Sequence, residues 1–201
     1  MTRDSAAPRQ RIVAGAADLI RRRGLAGSTI RDLAGHSGAP LGSTYHYFPR
    51  GKQQLAAEAI HHAGQRVSEI MERELHAGPA AALRAFLTLW RQTLIDNDFR
   101  AGCAVLAVAV EEPPDDNGEA VTAAAQVFTT WQRKLAAALR QHGAEPEQAG
   151  QVATLVVAGV EGAVAMCRAQ RDIRPFDDVA AQLDVLVRGV TTPDGATGNP
   201  A

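Results

Sequence analysis

The segment from residue 28 to residue 52 constrains the fold of this 201-residue chain more than any other. Its sequence is STIRDLAGHSGAPLGSTYHYFPRGK, which predicts a short helix, a glycine-centred turn, a second short helix and then a lysine. The second helix is too short to bury much apolar surface, so it must pack against two other helices. This order predicts a helix-turn-helix unit whose second helix lies in a DNA major groove.

The residues before this segment predict the remaining helix of the unit. Gly24 fits the residue that ends a helix over residues 9–23, and Ser28 or Thr29 can cap the next one. Asp32 stands three residues beyond Thr29, as in a capping box. The apolar positions of the first helix recur at helical spacing: Ile12, Ala16, Leu19 and Ile20.

The rest of the chain also has helical periodicity, and no alternation long enough to predict a strand. A long helix is predicted from about Gln53 to Leu75. Further helices are predicted at about 80–96, 101–111, 117–142, 146–171 and 175–190. The predicted fold is therefore all-α, with a DNA-binding domain at 1–52, a larger ligand-binding and dimerisation domain at 53–190, and a disordered tail at 191–201.

Charge is distributed unevenly along the chain. Residues 1–52 carry nine Lys or Arg and three Asp or Glu, whereas residues 53–201 carry twelve bases and nineteen acids. The overall net charge of -1 therefore combines a basic N-terminal segment with an acidic remainder. This pattern indicates that only the N-terminal end meets a polyanion, the alternative being an uneven surface charge without function.

The second short helix carries small, hydroxyl and aromatic side chains, which can approach base edges and phosphates closely. Phe48 is the expected core anchor, and of Tyr45 and Tyr47 one is expected to pack while the other reaches DNA. Lys52 is expected to meet a phosphate together with the N-terminus of the long helix. The candidate DNA contacts are Thr29, Leu41, Gly42, Ser43, Thr44, Tyr45, His46, Tyr47 and Lys52.

The same segment resembles the N-terminal signature of the TetR family of transcriptional regulators. That signature runs T-x-x-D-(I/L)-A, a glycine-containing turn, G-(T/S)-x-Y-x-(Y/H)-F and a lysine. The matching positions are Thr29, Asp32, Leu33, Ala34, Gly38, Gly42, Ser43, Tyr45, Tyr47, Phe48 and Lys52. The resemblance implies a homodimeric DNA-binding protein, usually a repressor that a small ligand releases from a palindromic operator.

Three features depart from the common family pattern. Pro40 replaces a serine that often caps the recognition helix, and Leu41 replaces a polar or basic residue, which favours contact with a thymine methyl group. The PRGK spacer is one residue longer than usual. Together with GCAVLAVAVEE and VEGAVAMCRAQRD, this spacer is similar to the subgroup that contains the LmrA and YxaF regulators.

The last two predicted helices carry apolar faces that can pair with those of a second copy in a four-helix bundle. The family resemblance favours this arrangement, and the alternative is that both faces are buried within one subunit. The candidate dimer-interface residues are Val152, Leu155, Val156, Gly159, Val160, Ala163, Val179, Leu183 and Leu186.

A small-molecule site is expected among the large or soft side chains between the helices of the second domain, although side chains of this kind are more often ordinary core than the wall of a pocket. Glu161 interrupts an apolar run, so it is expected to meet an arginine such as Arg168, the dimer partner or a ligand. The candidate pocket residues are Phe86, Trp90, Cys103, Leu106, Phe128, Trp131, Glu161 and Met166.

No motif in the sequence predicts catalysis, and neither a metal nor another cofactor is expected. Glu58 and His61 form an E-x-x-H pair without a second copy, and Cys103 and Cys167 lack metal-ligand spacing. The N-terminus has no apolar signal-peptide core, which indicates a cytoplasmic protein without a membrane partner. The alternative function is a helical ligand-binding or catalytic bundle that does not bind DNA.

Overall fold

A computed structural model of the chain describes residues 6–112 and 118–191. All regular secondary structure within these two ranges is helical, as the periodicity predicts. The helices are α1 (Ala6–Arg23), α2 (Ile30–His36), α3 (Leu41–Tyr47), α4 (Lys52–Leu75), α5 (Pro79–Asp96), α6 (Ala104–Ala109), α7 (Glu119–Gln141), α8 (Pro146–Gln170) and α9 (Arg174–Val190).

Local sequence signals set the ends of the first helices. Gly24 ends α1 with a φ of +77°, a conformation that glycine adopts without a steric penalty. Thr29 caps α2, and its side chain and that of Asp32 form the reciprocal bonds of a capping box. The two helix-end predictions are therefore confirmed, with Thr29 rather than Ser28 as the cap.

Two helices begin later than their sequence suggests. A proline fits the first position of a helix, where its missing N–H costs little, and this would start the second short helix at Pro40. Instead, Pro40 is the N-cap of α3, and it supplies no side-chain capping bond. Helix α6 spans only Ala104–Ala109, because residues 101–103 are not helical and Cys103 is its N-cap. The Cys103 sulfur accepts a hydrogen bond from the N–H of Leu106 at 3.4 Å.

The described residues divide into two compact units. The first comprises residues 6–67, 97–112 and 118–129. Its core includes the predicted inner face of α1, together with Leu33 and the fully buried Phe48. Helices α4 and α7 approach closely within this unit, since a Cβ added to Gly64 would lie 2.5 Å from a methyl carbon of Val127.

The second unit comprises residues 68–96 and 130–191. Phe86, Trp131 and Phe176 are among its most deeply buried side chains, and α8 packs along α9. The functional division at residue 52 remains a prediction. Of the predicted tail, residues 192–201 lie outside the described residues.

Among the described residues, α8 is long and apolar enough to cross a membrane, and half of its most apolar window is buried within the chain. A core helix of a globular protein has the same length and composition, so this single helix is weak support for a membrane segment.

Candidate nucleic-acid interface

Helix α3 presents one polar face to solvent. Gly42, Ser43, Tyr45 and His46 are exposed, and the Tyr45 side chain keeps 49% of its accessible surface. Leu41 at the start of the helix is half-buried. These five residues are among the predicted DNA contacts, and their placement leaves them accessible to a base edge or a phosphate.

The opposite side of α3 is held by buried contacts. Thr44 is fully buried, and its hydroxyl donates to the carbonyl oxygen of Pro40 at 3.2 Å. The N–H of Phe48 donates to the carbonyl oxygen of Thr44 at 2.9 Å. The guanidinium of Arg9 lies 5.1 Å from the centre of the buried Phe48 ring. Although Thr44 is a predicted DNA contact, its side chain faces the core in this structure and supports the helix from within.

The two tyrosines of α3 occupy different environments. The Tyr47 ring is half-buried and packs edge-on against His46 and Phe48, with ring centroids 5.3 and 6.5 Å apart. Tyr45 is the exposed tyrosine. Since one tyrosine was expected to pack and the other to reach DNA, this arrangement assigns packing to Tyr47 and leaves Tyr45 as the stronger candidate contact.

The Thr29 hydroxyl is already used in the cap of α2. It donates to the Asp32 carboxylate at 2.6 Å and accepts from the Asp32 N–H at 3.2 Å. Hydrogen bonds from the Thr29 side chain and backbone hold the pKa of Asp32 below its usual value. With its proton committed to Asp32, the hydroxyl of Thr29 cannot donate to a phosphate unless the cap opens.

The turn between α3 and α4 carries a network of polar contacts. Arg50 donates from Nε and Nη2 to the two carboxylate oxygens of Glu119, at 3.1 and 3.3 Å. Its backbone N–H donates to Gln54, and Gln54 donates in turn to Glu58. Glu58 also forms an ion pair with Arg9. Lys52 directly follows this turn as the first residue of α4, so its charge lies at the positive end of that helix dipole.

A second network lies at the other end of the basic segment, around Asp18. Its carboxylate accepts from Nε of Arg21 at 2.8 Å and from Nε of Arg22 at 2.9 Å. Nε2 of His36, on α2, lies 2.7 Å from the same group. Arg22 also donates to the side chain of Asn97 at 2.6 Å. Neither network was predicted, because the contacts that join different helices span 18 or more positions in the chain, where the sequence gives no local signal.

The predicted pocket residues fall into the two compact units. In the second unit, Phe86 packs edge-on against Trp90 and Trp131, with centroids 6.3 and 6.1 Å apart. Glu161 is buried in that unit and Met166 is exposed on α8. The remaining three belong to the first unit, where one is buried and two are half-buried: Cys103, Leu106 and Phe128.

Most of the predicted dimer-interface residues lie inside the chain's own core. A Cβ added to Gly159 would contact Val179 and Leu183 of α9, and like Val179 and Leu186 this glycine is half-buried. Leu155 is 53% exposed. The side chains that the chain itself already buries are Val152, Val156, Val160, Ala163 and Leu183. These buried side chains cannot contact a partner unless the core of the second unit opens.

Two family models cover most of this architecture. Residues 12–59 match the model described as bacterial regulatory proteins of the tetR family. Residues 79–182, more than half of the chain, match the model described as the C-terminal domain of LmrA/YxaF-like transcriptional regulators. The chain belongs to the TetR family.

Relatives and solved structures agree with the TetR assignment. An uncharacterized HTH-type transcriptional regulator of Mycobacterium tuberculosis is 40% identical over 184 residues, covering 90% of this chain and 94% of the relative. The uncharacterized HTH-type regulator YxaF of Bacillus subtilis is 29% identical, covering 90% of this chain and 95% of its own length. A TetR-family crystal structure from Agrobacterium tumefaciens superposes with a TM-score of 0.77 at 22% identity, covering 94% of this chain and all of that one.

Three predictions are confirmed by these comparisons. The chain has the all-helical TetR fold, it belongs with the LmrA/YxaF-like regulators, and its family consists of DNA-binding transcriptional regulators rather than enzymes. The contact residues, the dimer face and the ligand site stay predictions.

Proposed function

We propose that the protein is a homodimeric repressor that binds a palindromic operator and is released by a small, mostly apolar ligand in the cytoplasm. The observation that carries the DNA-binding part is the face of α3, where small polar residues and Tyr45 are exposed above the buried Thr44 and Phe48. A rigidly supported helix with a polar outer face can enter a major groove about 12 Å wide and hydrogen-bond to base edges.

Contacts to phosphates supply the other part of DNA affinity. Lys52 lies at the first turn of α4, where the helix dipole and the ammonium group both attract an anion. Exposed arginines of the same basic segment, Arg11, Arg23 and Arg31, add positive charge. Phosphate contacts of this kind fix the register of a protein on the duplex, and base contacts then select the sequence.

We place the dimer interface on the exposed face of α8 rather than on the residues first predicted. Leu155 and Met166 are half-exposed on this face, which we call the outer α8 face. Its members recur at helical spacing and are small or apolar, which suits close helix packing: Thr154, Leu155, Ala158, Gly162, Ala165 and Met166. On α9, Val185 is 66% exposed and extends the apolar surface.

Dimerisation also suits the proposed mode of DNA reading. One α3 helix contacts few base pairs, whereas two related by a two-fold axis read both halves of a palindrome, about 34–36 Å apart. A ligand that changes the separation of the two helices lowers operator affinity without touching the residues in the groove.

For the ligand, we favour the aromatic cluster of the second unit. Phe86, Trp90 and Trp131 offer flat apolar surface, and the indole N–H of Trp90 has no acceptor among the described residues. A buried donor without an acceptor is costly, so a ligand with an acceptor oxygen or nitrogen would gain a hydrogen bond there.

The chain's two lysines provide a matched test of the DNA-binding proposal. Lys52→Ala removes the proposed phosphate contact, whereas Lys134→Ala removes the same charge from a residue that pairs with Glu72 in the second unit. The negative slope of log K against log salt becomes less steep by about 0.9 for each phosphate contact that is lost. A dimer of Lys52→Ala loses two such contacts, so its slope should be less steep than that of the wild type by about 1.8. Lys134→Ala should leave the slope unchanged. Equal slopes for both variants and the wild type would refute the role of Lys52.

A further inference from the structure

Glu111, which follows α6, contacts the backbone of the connection between α1 and α2. One carboxylate oxygen accepts from the N–H of Leu25 at 2.7 Å, and the other accepts from the N–H of Ala26 at 2.7 Å. These residues are 86 and 85 positions away in the sequence. Hydrogen bonds to an ionised acceptor are about twice as strong as neutral ones, so the two bonds hold the connection firmly.

The absence of a side chain at Gly24 leaves room for the carboxylate of Glu111. A Cβ added to Gly24 would stand 2.5 Å from Oε1 of Glu111, closer than non-bonded atoms approach. Its φ of +77° also favours glycine. The end of α1 is therefore built both to turn sharply and to admit the carboxylate of Glu111.

The connection held in this way leads directly to the DNA-reading helices. The hydroxyl of Ser28 donates to the carbonyl oxygen of Gly24 at 3.0 Å, and the next residue, Thr29, caps α2. Helix α2 packs against both α1 and α3. The orientation of α3 relative to α1 therefore depends on this short connection.

Two more contacts link the segment that precedes Glu111 to the C-terminal end of α1. The N–H of Gly102 donates to the carbonyl oxygen of Arg21 at 2.9 Å, and the side chain of Asn97 accepts from Arg22. All of these residues belong to the first compact unit. Segment 97–111 thus contacts the C-terminal end of α1 and the following connection at three points.

We propose that Glu111 is a positioning residue for operator recognition. It lies outside the predicted DNA-binding segment and is not among the predicted DNA contacts. By fixing the α1–α2 connection, its carboxylate keeps α3 in the orientation in which its polar face matches the operator. This inference rests on the proposed function, since it presupposes that the protein selects an operator.

Glu112 offers a matched control for testing this role. Glu111→Gln and Glu112→Gln remove the same charge at adjacent positions, but within residues 6–112 and 118–191 only Glu111 accepts hydrogen bonds from the N–H groups of Leu25 and Ala26. A glutamine at 111 keeps one acceptor oxygen and turns an NH₂ group towards the second N–H. Amide hydrogen exchange of Leu25 and Ala26 then reports the contact without any DNA.

We expect Glu111→Gln to lower the exchange protection of at least one of these amides by about 10- to 100-fold, the range for a hydrogen bond to a charged group. Glu112→Gln should preserve the wild-type protection. Unchanged protection in Glu111→Gln would overturn the proposal, because the carboxylate would then not be holding the connection.

The second part of the experiment measures affinity for a duplex of the protein's own upstream DNA and for a scrambled duplex of equal length. The ratio of upstream-duplex affinity to scrambled-duplex affinity should be at least about fivefold lower in Glu111→Gln than in Glu112→Gln. The affinity for the scrambled duplex should be the same in both variants. An equal loss on both duplexes, or an unchanged ratio, would overturn the positioning role. A wild-type protein that binds both duplexes equally would instead refute the proposed function, and the inference with it.

Discussion

The polar contacts of Asp18 allow the loss of stability caused by Asp18→Asn to be predicted. Its carboxylate joins two arginines of α1 and His36 of α2, and its side chain is 30% exposed. Asp18→Asn keeps the size and one acceptor oxygen but removes the charge. The variant should therefore weaken the attachment of α2 to α1 while leaving the hydrophobic core intact.

The size of the effect follows from the number and exposure of the contacts. A hydrogen bond to a charged group contributes about 1.5–3 kcal/mol when buried, and solvent screening reduces this for a partly exposed carboxylate. We expect Asp18→Asn to lower the free energy of unfolding by about 2 kcal/mol at pH 7. For a chain of this size that corresponds to a fall in Tm of about 4–8 °C.

The effect should depend on pH in a defined direction. Partial burial raises the pKa of Asp18, but hydrogen bonds from Arg22, His36 and Arg21 outweigh it and hold the pKa well below its usual value. The ionised carboxylate therefore stabilises the fold above the unfolded-state pKa of about 4, and this stabilisation is lost as the pH falls further. The difference in Tm between wild type and Asp18→Asn should be largest near neutral pH and shrink below about pH 4.

Asp98→Asn provides the control, measured by circular dichroism at the same protein concentration. The side chains of the Asp98–Arg100 ion pair are 79% and 72% exposed, so its loss should change stability by less than about 0.5 kcal/mol. Asparagine also tolerates the φ of 51° at this position. Equal melting temperatures for the two variants at pH 7 would refute the reasoning, as would a wild-type advantage over Asp18→Asn that grows in acid.

Two other features give sharp predictions. Gly24→Ala should destabilise the fold by about 1–3 kcal/mol in urea unfolding, because it adds a strained φ and a clash with Glu111. Gly27→Ala should change stability by less than about 0.5 kcal/mol, because among the described residues no atom other than those of its chain neighbours lies within 4 Å of the added Cβ. Similar losses for both alanines would contradict this account. Leu155→Glu should weaken dimerisation at least about tenfold in sedimentation equilibrium by burying a charge in the outer α8 face, and the exposed-site control Gln141→Glu should not. An unchanged dimer in Leu155→Glu would place the interface elsewhere.

The helices could be predicted from the sequence because local signals define them. Apolar residues at helical spacing and helix-ending glycine or proline mark their extents, and the cap formed by Thr29 and Asp32 is visible as a motif. Helix α6 was predicted too long, since its apolar run continues on either side of the residues that are helical. The anchoring role of Phe48 was also predictable, because a short helix needs a buried side chain to hold it.

The faces of α8 could not be assigned from the same kind of pattern. This helix is apolar around most of its circumference, so periodicity does not tell which side packs within the chain and which remains exposed. The prediction chose Val152, Val156 and Val160, which the chain itself buries, and Leu155 alone lies on the outer α8 face.

The long-range polar contacts could not be predicted from the sequence either. Nothing near Glu111 indicates that its carboxylate accepts from Leu25 and Ala26, and nothing near Arg50 indicates Glu119. Such contacts depend on how helices meet in three dimensions. They lie in the connection before α2 and in the turn after α3 rather than in α3 itself, and the motif that identifies the family does not include them.

The most direct test of the central claim is a binding titration of the wild-type protein at several salt concentrations. The two duplexes are its own upstream DNA and a scrambled sequence of equal length. We expect two chains to bind together, the logarithm of the affinity for both duplexes to fall linearly with log salt, and the upstream duplex to be preferred at every salt concentration. If duplexes that cover the whole upstream region all bind as weakly as the scrambled duplex, operator recognition by this protein is contradicted.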